Sequence, residues 1–271
     1  MITTLGLFWA CSGEPEAVTD PTPETAPEAA PAAPLDPEQL EQAVEHALAP
    51  SPNETRLAVE RAGITLSLGT LIPERSWTLD QGDIDRAALR TGVLLGDLVL
   101  TVKEAEKPWL VNQLQLIHDG LNAMSAGEGL LSTVADMKAS VENDAVSRDD
   151  LLRQLDDLVG MVPTSEGVGP EDNSGPLLQA GAWLGGTNLT SRAILRSGQI
   201  EAADTLLRQK AVAEYFRGYV SEGEGEEKAG EVQDLLKTTL TRLIEVSDQE
   251  TIGRADVEDV RDQTQALIDL L

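Results

Sequence analysis

A single cysteine, Cys11, occurs in a chain of 271 residues, which excludes an internal disulfide and a thiolate metal cluster. Histidine is nearly as scarce. His46 and His118 are the only two, too few for a multi-histidine metal site. Aromatic residues make up 3% of the chain, so a core has to be filled with Leu, Val, Ile and Ala, a composition that suits helices better than a sandwich of strands. Basic residues number 20 against 47 acidic ones, for a formal net charge of −27. Such a balance argues against nucleic acid as a partner, because Lys and Arg must replace the counterions that phosphates release. Long apolar runs are also missing: the best candidate, Gly92 to Leu100, is interrupted by Asp97 and falls far short of the roughly 20 residues that cross a bilayer.

Motifs that carry chemistry are equally sparse. No Gly-x-Ser-x-Gly elbow, no phosphate-cradling glycine loop ending in Lys-Ser or Lys-Thr, and no zinc-protease or haem-attachment motif occurs. His118 stands beside an apolar helical stripe without an identifiable partner, which suits a helix-end histidine better than a general base. The acidic loops 166–175 and 221–227 are rich in oxygen ligands but lack the spacing of a Ca²⁺-binding EF-hand. The expectation is a protein that is not an enzyme and that carries no cofactor and no metal.

The front of the chain is unlike the rest. Residues 1–11 hold a short, mostly apolar run, Ile2 to Ala10, ending in Phe8-Trp9-Ala10-Cys11-Ser12. This resembles a bacterial lipoprotein signal. The resemblance implies that Ala10 precedes the cleavage point and that Cys11 becomes a lipid-bearing N-terminus, anchoring the protein to a membrane of the cell envelope on its periplasmic or outer side. The segment departs from that pattern in having no Lys or Arg before Cys11, and in placing Phe8 where an aliphatic residue is usual. Residues 12–37 hold half of the chain's 14 prolines together with many Ala and Glu, a composition that buries too little surface to offset its ordering entropy. This spacer spans on the order of 75 Å when extended at about 3.1 Å per residue, enough to hold a domain away from a membrane.

Residues 38–271 read as one all-α domain. Apolar residues recur at helical spacing in Leu110, Leu114, Ile117, Leu121 and Met124, again in Leu130, Val134, Met137 and Val141, and again in Leu151, Leu155, Leu158 and Val162. Later stripes run through Val232, Leu236, Leu240 and Leu243, then Val257, Val260, Leu267 and Leu271. Pro108 fits a first helical turn, and Ser147 with Asp150 a capped start. Within this pattern the segment Leu89 to Thr101 aligns without gaps to Leu178 to Thr190, with six of thirteen positions identical. The self-match predicts two pseudo-repeated four-helix units, about 83–162 and 175–271, forming a bundle of about eight helices preceded by one or two short ones.

Glycine inside a helix costs about 1 kcal/mol against alanine, so Gly92 with Gly96, and Gly181 with Gly185, predict a close helix crossing. The paired Leu-x-x-Gly-x-x-Leu-Gly helices, with Asp97 in the first and Ala182-Trp183-Leu184 in the second, resemble uncharacterised exported helical proteins of bacteria. That resemblance spans about residues 84–195 and implies a helical fold and an exported location, with no activity attached. Asp97 and Asn188 interrupt apolar helices beside the glycines, where a buried polar group needs a hydrogen-bonding partner. With Trp183, they are the candidate lining of a pocket between the repeats. The functional expectation is a non-enzymatic binding or scaffolding lipoprotein, anchored at Cys11 and able to engage an envelope protein. A sensor or carrier of small molecules or cations, with its site between the repeats, is the alternative.

Overall fold

Helix starts in this molecule are written in short polar signals. In the computed structural model, which describes residues 49–73, 77, 83–162, 168, 174–222 and 231–271, the fold is all-helical, and no strand occurs among the described residues. Cys11, the spacer 12–37 and most of the two acidic loops lie outside the described residues. Helix α1 (Pro52–Arg61) opens with a capping box: the Ser51 hydroxyl accepts the Glu54 N–H, and the Glu54 carboxylate accepts the Ser51 N–H at 2.8 Å. A 3-10 turn at Leu68–Leu71 follows, then α2 (Ile84–Thr101), capped by Asp83. Helix α3 (Lys107–Ala123) carries Pro108 in its first turn, α4 spans Glu128–Glu142, and α5 (Arg148–Met161) starts at Ser147, whose Oγ accepts the Asp150 N–H at 3.1 Å. Helix α6 (Ser174–Ser197) is followed by Gly198 at a φ of 76°, a left-handed turn that favours glycine. A second 3-10 turn (Ile200–Ala202), the short α7 (Ala203–Leu206), α8 (Lys210–Glu222), α9 (Glu231–Ser247) and α10 (Arg254–Leu270) complete the order.

The apolar stripes are the core. Every residue of the five stripes named above is buried, from Leu110 through Leu271. In α10 the stripe also carries Thr264, fully buried, whose hydroxyl is satisfied by donating to the Val260 carbonyl at 2.7 Å.

Helices α2 and α6 form the centre. From Ala87 to Thr101 each residue of α2 is buried, and α6 is buried on nearly all sides, as expected of helices enclosed by others. Their contact depends on the predicted glycines. A Cβ on Gly92 would overlap the Leu178 carbonyl oxygen and stand 2.8 Å from the Ala182 nitrogen; one on Gly96 would stand 2.8 Å from the Ala182 oxygen. Reciprocally, a Cβ on Gly181 would overlap the Leu89 oxygen and lie 2.9 Å from the Leu89 carbonyl carbon. Gly185 differs, because its Cβ would meet Val93 at 3.4 Å or more, ordinary van der Waals contact. Moving four residues up α2 moves the neighbour four residues up α6, so the two helices cross running in the same direction. The glycine Cα–H bonds aim at carbonyl oxygens of the facing helix, a weak attraction that recurs at such close crossings.

The other helices pack outward from this pair. On one side α3 lies against α2 and α4 against α3; on the other α10 lies against α6, α9 against α10 and α8 against α9, while α1 touches both central helices. The two halves are therefore wired differently. In the first, the central helix packs most on the helix that follows it; in the second, on the last helix of the chain.

Arg208 ties the start of α8 to the turn after α9. Its guanidinium donates to the Ser247 and Gln249 carbonyls at 2.8 and 2.7 Å and to Asp204 at 2.6 Å, satisfying carbonyls that a helix C-terminus leaves open. The Asp204 carboxylate also accepts the Ile252 N–H at 3.1 Å. That N–H, more than Arg208, holds the Asp204 carboxyl below its ordinary value of 3.8.

Two outcomes follow from these contacts. Gly92→Ala and Gly181→Ala should each destabilise the protein by about 3 kcal/mol or more, because the facing atoms are backbone that cannot rotate away. Gly185→Ala should be neutral or stabilising by up to about 1 kcal/mol, and urea unfolding of the three variants measures the contrast. For Asp204 the folded-state value is depressed, so its contribution is fully present above the unfolded value and is lost as pH falls through the folded one. Wild type should thus exceed Asp204→Asn in urea midpoint at neutral pH, and the gap should close as the pH falls below 3.8. The comparison cancels the relief of self-repulsion that acid brings to any chain of this charge.

Candidate functional site

The glycine crossing leaves no room for a ligand, since backbone meets backbone there. Of the three residues predicted to line a pocket, Trp183 and Asn188 have structural partners. The Trp183 indole N–H donates to the Gln209 side chain, and its ring lies 5.6 Å from that of Phe216. Phe216 in turn meets Tyr215, and Tyr215 meets Tyr219, each at 5.1 Å between ring centres. The amide of Asn188 donates to the Arg261 carbonyl at 3.1 Å and to Thr264 at 3.0 Å, and its oxygen accepts from Arg192 at 2.9 Å. A side chain that interrupts an apolar helix therefore acts as the polar pin between α6 and α10.

Asp97 is placed differently. It is 2% exposed and lines a cleft of about 590 Å³ on the side of α2 away from α6. The 3-10 turn at Leu68–Leu71 and the residues after it supply one wall, through Gly69, Ile72, Pro73 and Trp77. Leu94 and Asp97 of α2 form the floor; Trp109, Asn112, Gln113 and Leu116 of α3 form the opposite wall. The four α3 residues fall at i, i+3, i+4 and i+7, one face of a helix, adjoining the core stripe of Leu110, Leu114 and Ile117. Both tryptophans are half-buried. The Gln113 carbonyl oxygen is buried and has no hydrogen-bond partner among the described residues, a state that costs about 1–3 kcal/mol when the acceptor stays unsatisfied.

A volume near 590 Å³ falls within the range of about 300–1,000 Å³ typical of small-molecule pockets. Its lining combines apolar and aromatic side chains with three polar ones, Asp97, Asn112 and Gln113. Among the described residues of the lining, Asp97 is the one ionisable side chain.

His118 occupies the same helix, α3, with Nδ1 3.5 Å from the Asp119 carboxylate, and no hydroxyl or thiol of the described residues is hydrogen-bonded to it. Among the described residues, no group of three or more His, Cys, Asp and Glu side chains is arranged to hold a metal ion, and no helix is long and apolar enough to cross a membrane.

The sequence reading singled out Asp97 and passed over Trp77, Trp109, Asn112 and Gln113. The signal for the α3 wall was available as a second stripe of large side chains beside the apolar one. Trp77 lies outside the helices, where no periodicity encodes its position. Comparison with protein-family models, curated proteins and solved structures finds no match to this chain.

The polar pin should be separable from the cleft. Asn188→Ala strands the partners of a buried amide and should lower stability by about 1–3 kcal/mol in urea unfolding, while leaving the fluorescence response of the cleft indoles to any ligand unaltered.

Proposed function

We propose that the protein is a non-catalytic binding lipoprotein of the bacterial cell envelope. Its acidic helical domain is held out from a membrane on the Pro/Ala/Glu spacer anchored at Cys11, and its ligand occupies the cleft between α2, α3 and the segment around Trp77. The observation that carries this reading is the convergence of aromatic surface. In a chain that is 3% aromatic with four tryptophans, two indoles stand half-buried around one carboxylate in a single cleft. Leaving two tryptophans half-buried has a hydration cost that a rigid scaffold does not need to bear. A ligand that covers them recovers it.

On this reading the central glycine helices form the rigid floor rather than the site. The reciprocal contacts of Gly92 with Leu178 and of Gly181 with Leu89 support a duplicated helix at the centre of two four-helix halves, although the outer helices pack on that centre in different orders. The acidic outer surface offers a second role, scaffolding, through docking of a cationic segment of an envelope protein.

Two measurements test the proposal. Metabolic labelling with a lipid analogue in a bacterial host should give incorporation in the wild type and none in Cys11→Ser; labelling independent of Cys11, or its absence, removes the anchor. A fragment screen read by tryptophan fluorescence and calorimetry should find saturable ligands whose binding Trp109→Leu weakens about tenfold or more, the scale of one lost aromatic contact at a buried site. Ligands indifferent to Trp109 would move the site elsewhere.

A further inference from the structure

We infer that Tyr215 and Tyr219 are an oxidative modification site, at which a one-electron oxidant joins the two phenol rings through a carbon–carbon bond. The inference is independent of what the cleft binds. These are the only two tyrosines of the chain. Four residues apart on α8, they project from one face of the helix, with ring centres 5.1 Å apart, ring planes at 71° and hydroxyl oxygens 3.5 Å apart. When a phenol loses an electron and a proton, the carbons beside the hydroxyl-bearing carbon share the unpaired spin, and adjacent hydroxyls bring those ortho edges close. In the coupled product the two hydroxyls likewise stand side by side. Little rearrangement therefore separates the pair as folded from the pair as joined. Phe216 braces the arrangement from the core: it is 1% exposed, and its ring lies 5.1 Å from that of Tyr215 at 61°. Both tyrosines are half-buried, so oxidation needs no opening of the core.

Each tyrosine gives up one electron and its phenolic proton, leaving two phenoxyl radicals. Their ortho carbons form the new bond; each then releases its proton as the ring regains aromaticity, and each oxygen takes one up to restore the hydroxyl. One carbon–carbon bond replaces two carbon–hydrogen bonds, and the protein loses two electrons and two protons. Hydrogen peroxide, acting through a one-electron carrier, accepts them and leaves as two waters. Helical spacing makes the coupling intramolecular, at an effective concentration of about millimolar or above. The net charge of −27 keeps separate copies apart and disfavours coupling between them. The new bond closes a covalent ring over one turn of α8.

The test exposes the intact chain at neutral pH to light with tris(bipyridyl)ruthenium(II) and persulfate, which takes the electrons in place of peroxide and becomes two sulfates. Trypsin cuts after Arg217, between the two tyrosines, so the link joins the peptides 211–217 and 218–228 at a mass two hydrogens below their sum. The joined peptides should come from monomeric protein that shows the blue fluorescence of coupled phenols, at a yield unchanged across an about tenfold dilution. Tyr215→Phe and Tyr219→Phe, each checked for an unaltered helical circular-dichroism spectrum and cooperative melt, should each abolish the signal in the monomer. Should either variant fail to fold, the wild-type peptide map and its dilution series still decide the matter. Coupled phenols found only in covalent dimers, at a yield that falls with dilution, overturn the inference. Oxidation of tryptophan or methionine with no joined peptide overturns it as well.

Discussion

The approach of α2 to α6 is the constraint on which the rest of the molecule depends. Two helices touch backbone to backbone over Gly92, Gly96 and Gly181, with carbonyl oxygens occupying the directions in which side chains would project. Such proximity sets where every other helix can lie. Because the pair is buried along nearly its whole length, the remaining helices need only one apolar stripe each, which is why α3, α4, α5, α9 and α10 read as simple amphipathic patterns. Leu, Val and Ala suffice to fill the space around a centre this narrow, so scarcity of aromatics is no handicap to the core.

A narrow centre also dictates where polar and charged groups go. Helix α6 has no ionised side chain between its first residue and Arg192, and the acids collect on the outer helices and loops, where water screens them. The polar groups that remain inside serve as pins. Asn188 fixes α6 to α10 through a carbonyl and a hydroxyl, and Arg208 closes the end of α9 from the short connection between α7 and α8. Each joins elements distant in sequence, where hydrophobic contact alone would set no unique register.

Legibility in the sequence followed the same division. Stripes with a single buried face declared themselves, and the residues of those stripes are the ones found in the core. The crossing was legible because glycine inside a helix is costly enough to demand a cause, and the self-match doubled the signal. The second-half wiring was not, since nothing local distinguishes a central helix that packs on its successor from one that packs on the chain's last helix. Of the predicted pocket residues, Asp97 lines the cleft while Trp183 and Asn188 pack structurally; all three are large or polar side chains in buried helices, and periodicity cannot tell a pin from a lining. The α3 wall left a readable trace in Trp109, Asn112, Gln113 and Leu116. Trp77 left none, because it lies outside every helical stripe.

The cleft and the crossing are two uses of one helix. Leu89, Gly92, Val93 and Gly96 form the side of α2 that meets α6, Thr91 nests against Gly120 of α3, and Leu94 with Asp97 turn to the cleft. A helix clamped on two sides has little freedom to tilt, so the floor of the cleft is fixed by packing that no ligand has to organise. The opposite wall begins at the 3-10 turn Leu68–Leu71 and continues through Ile72 and Pro73. A floor already ordered by packing reduces the ordering cost of binding. The close helix crossing thus serves the cleft without belonging to it: it excludes ligand from the centre of the molecule and holds Asp97 at a constant position beside α3.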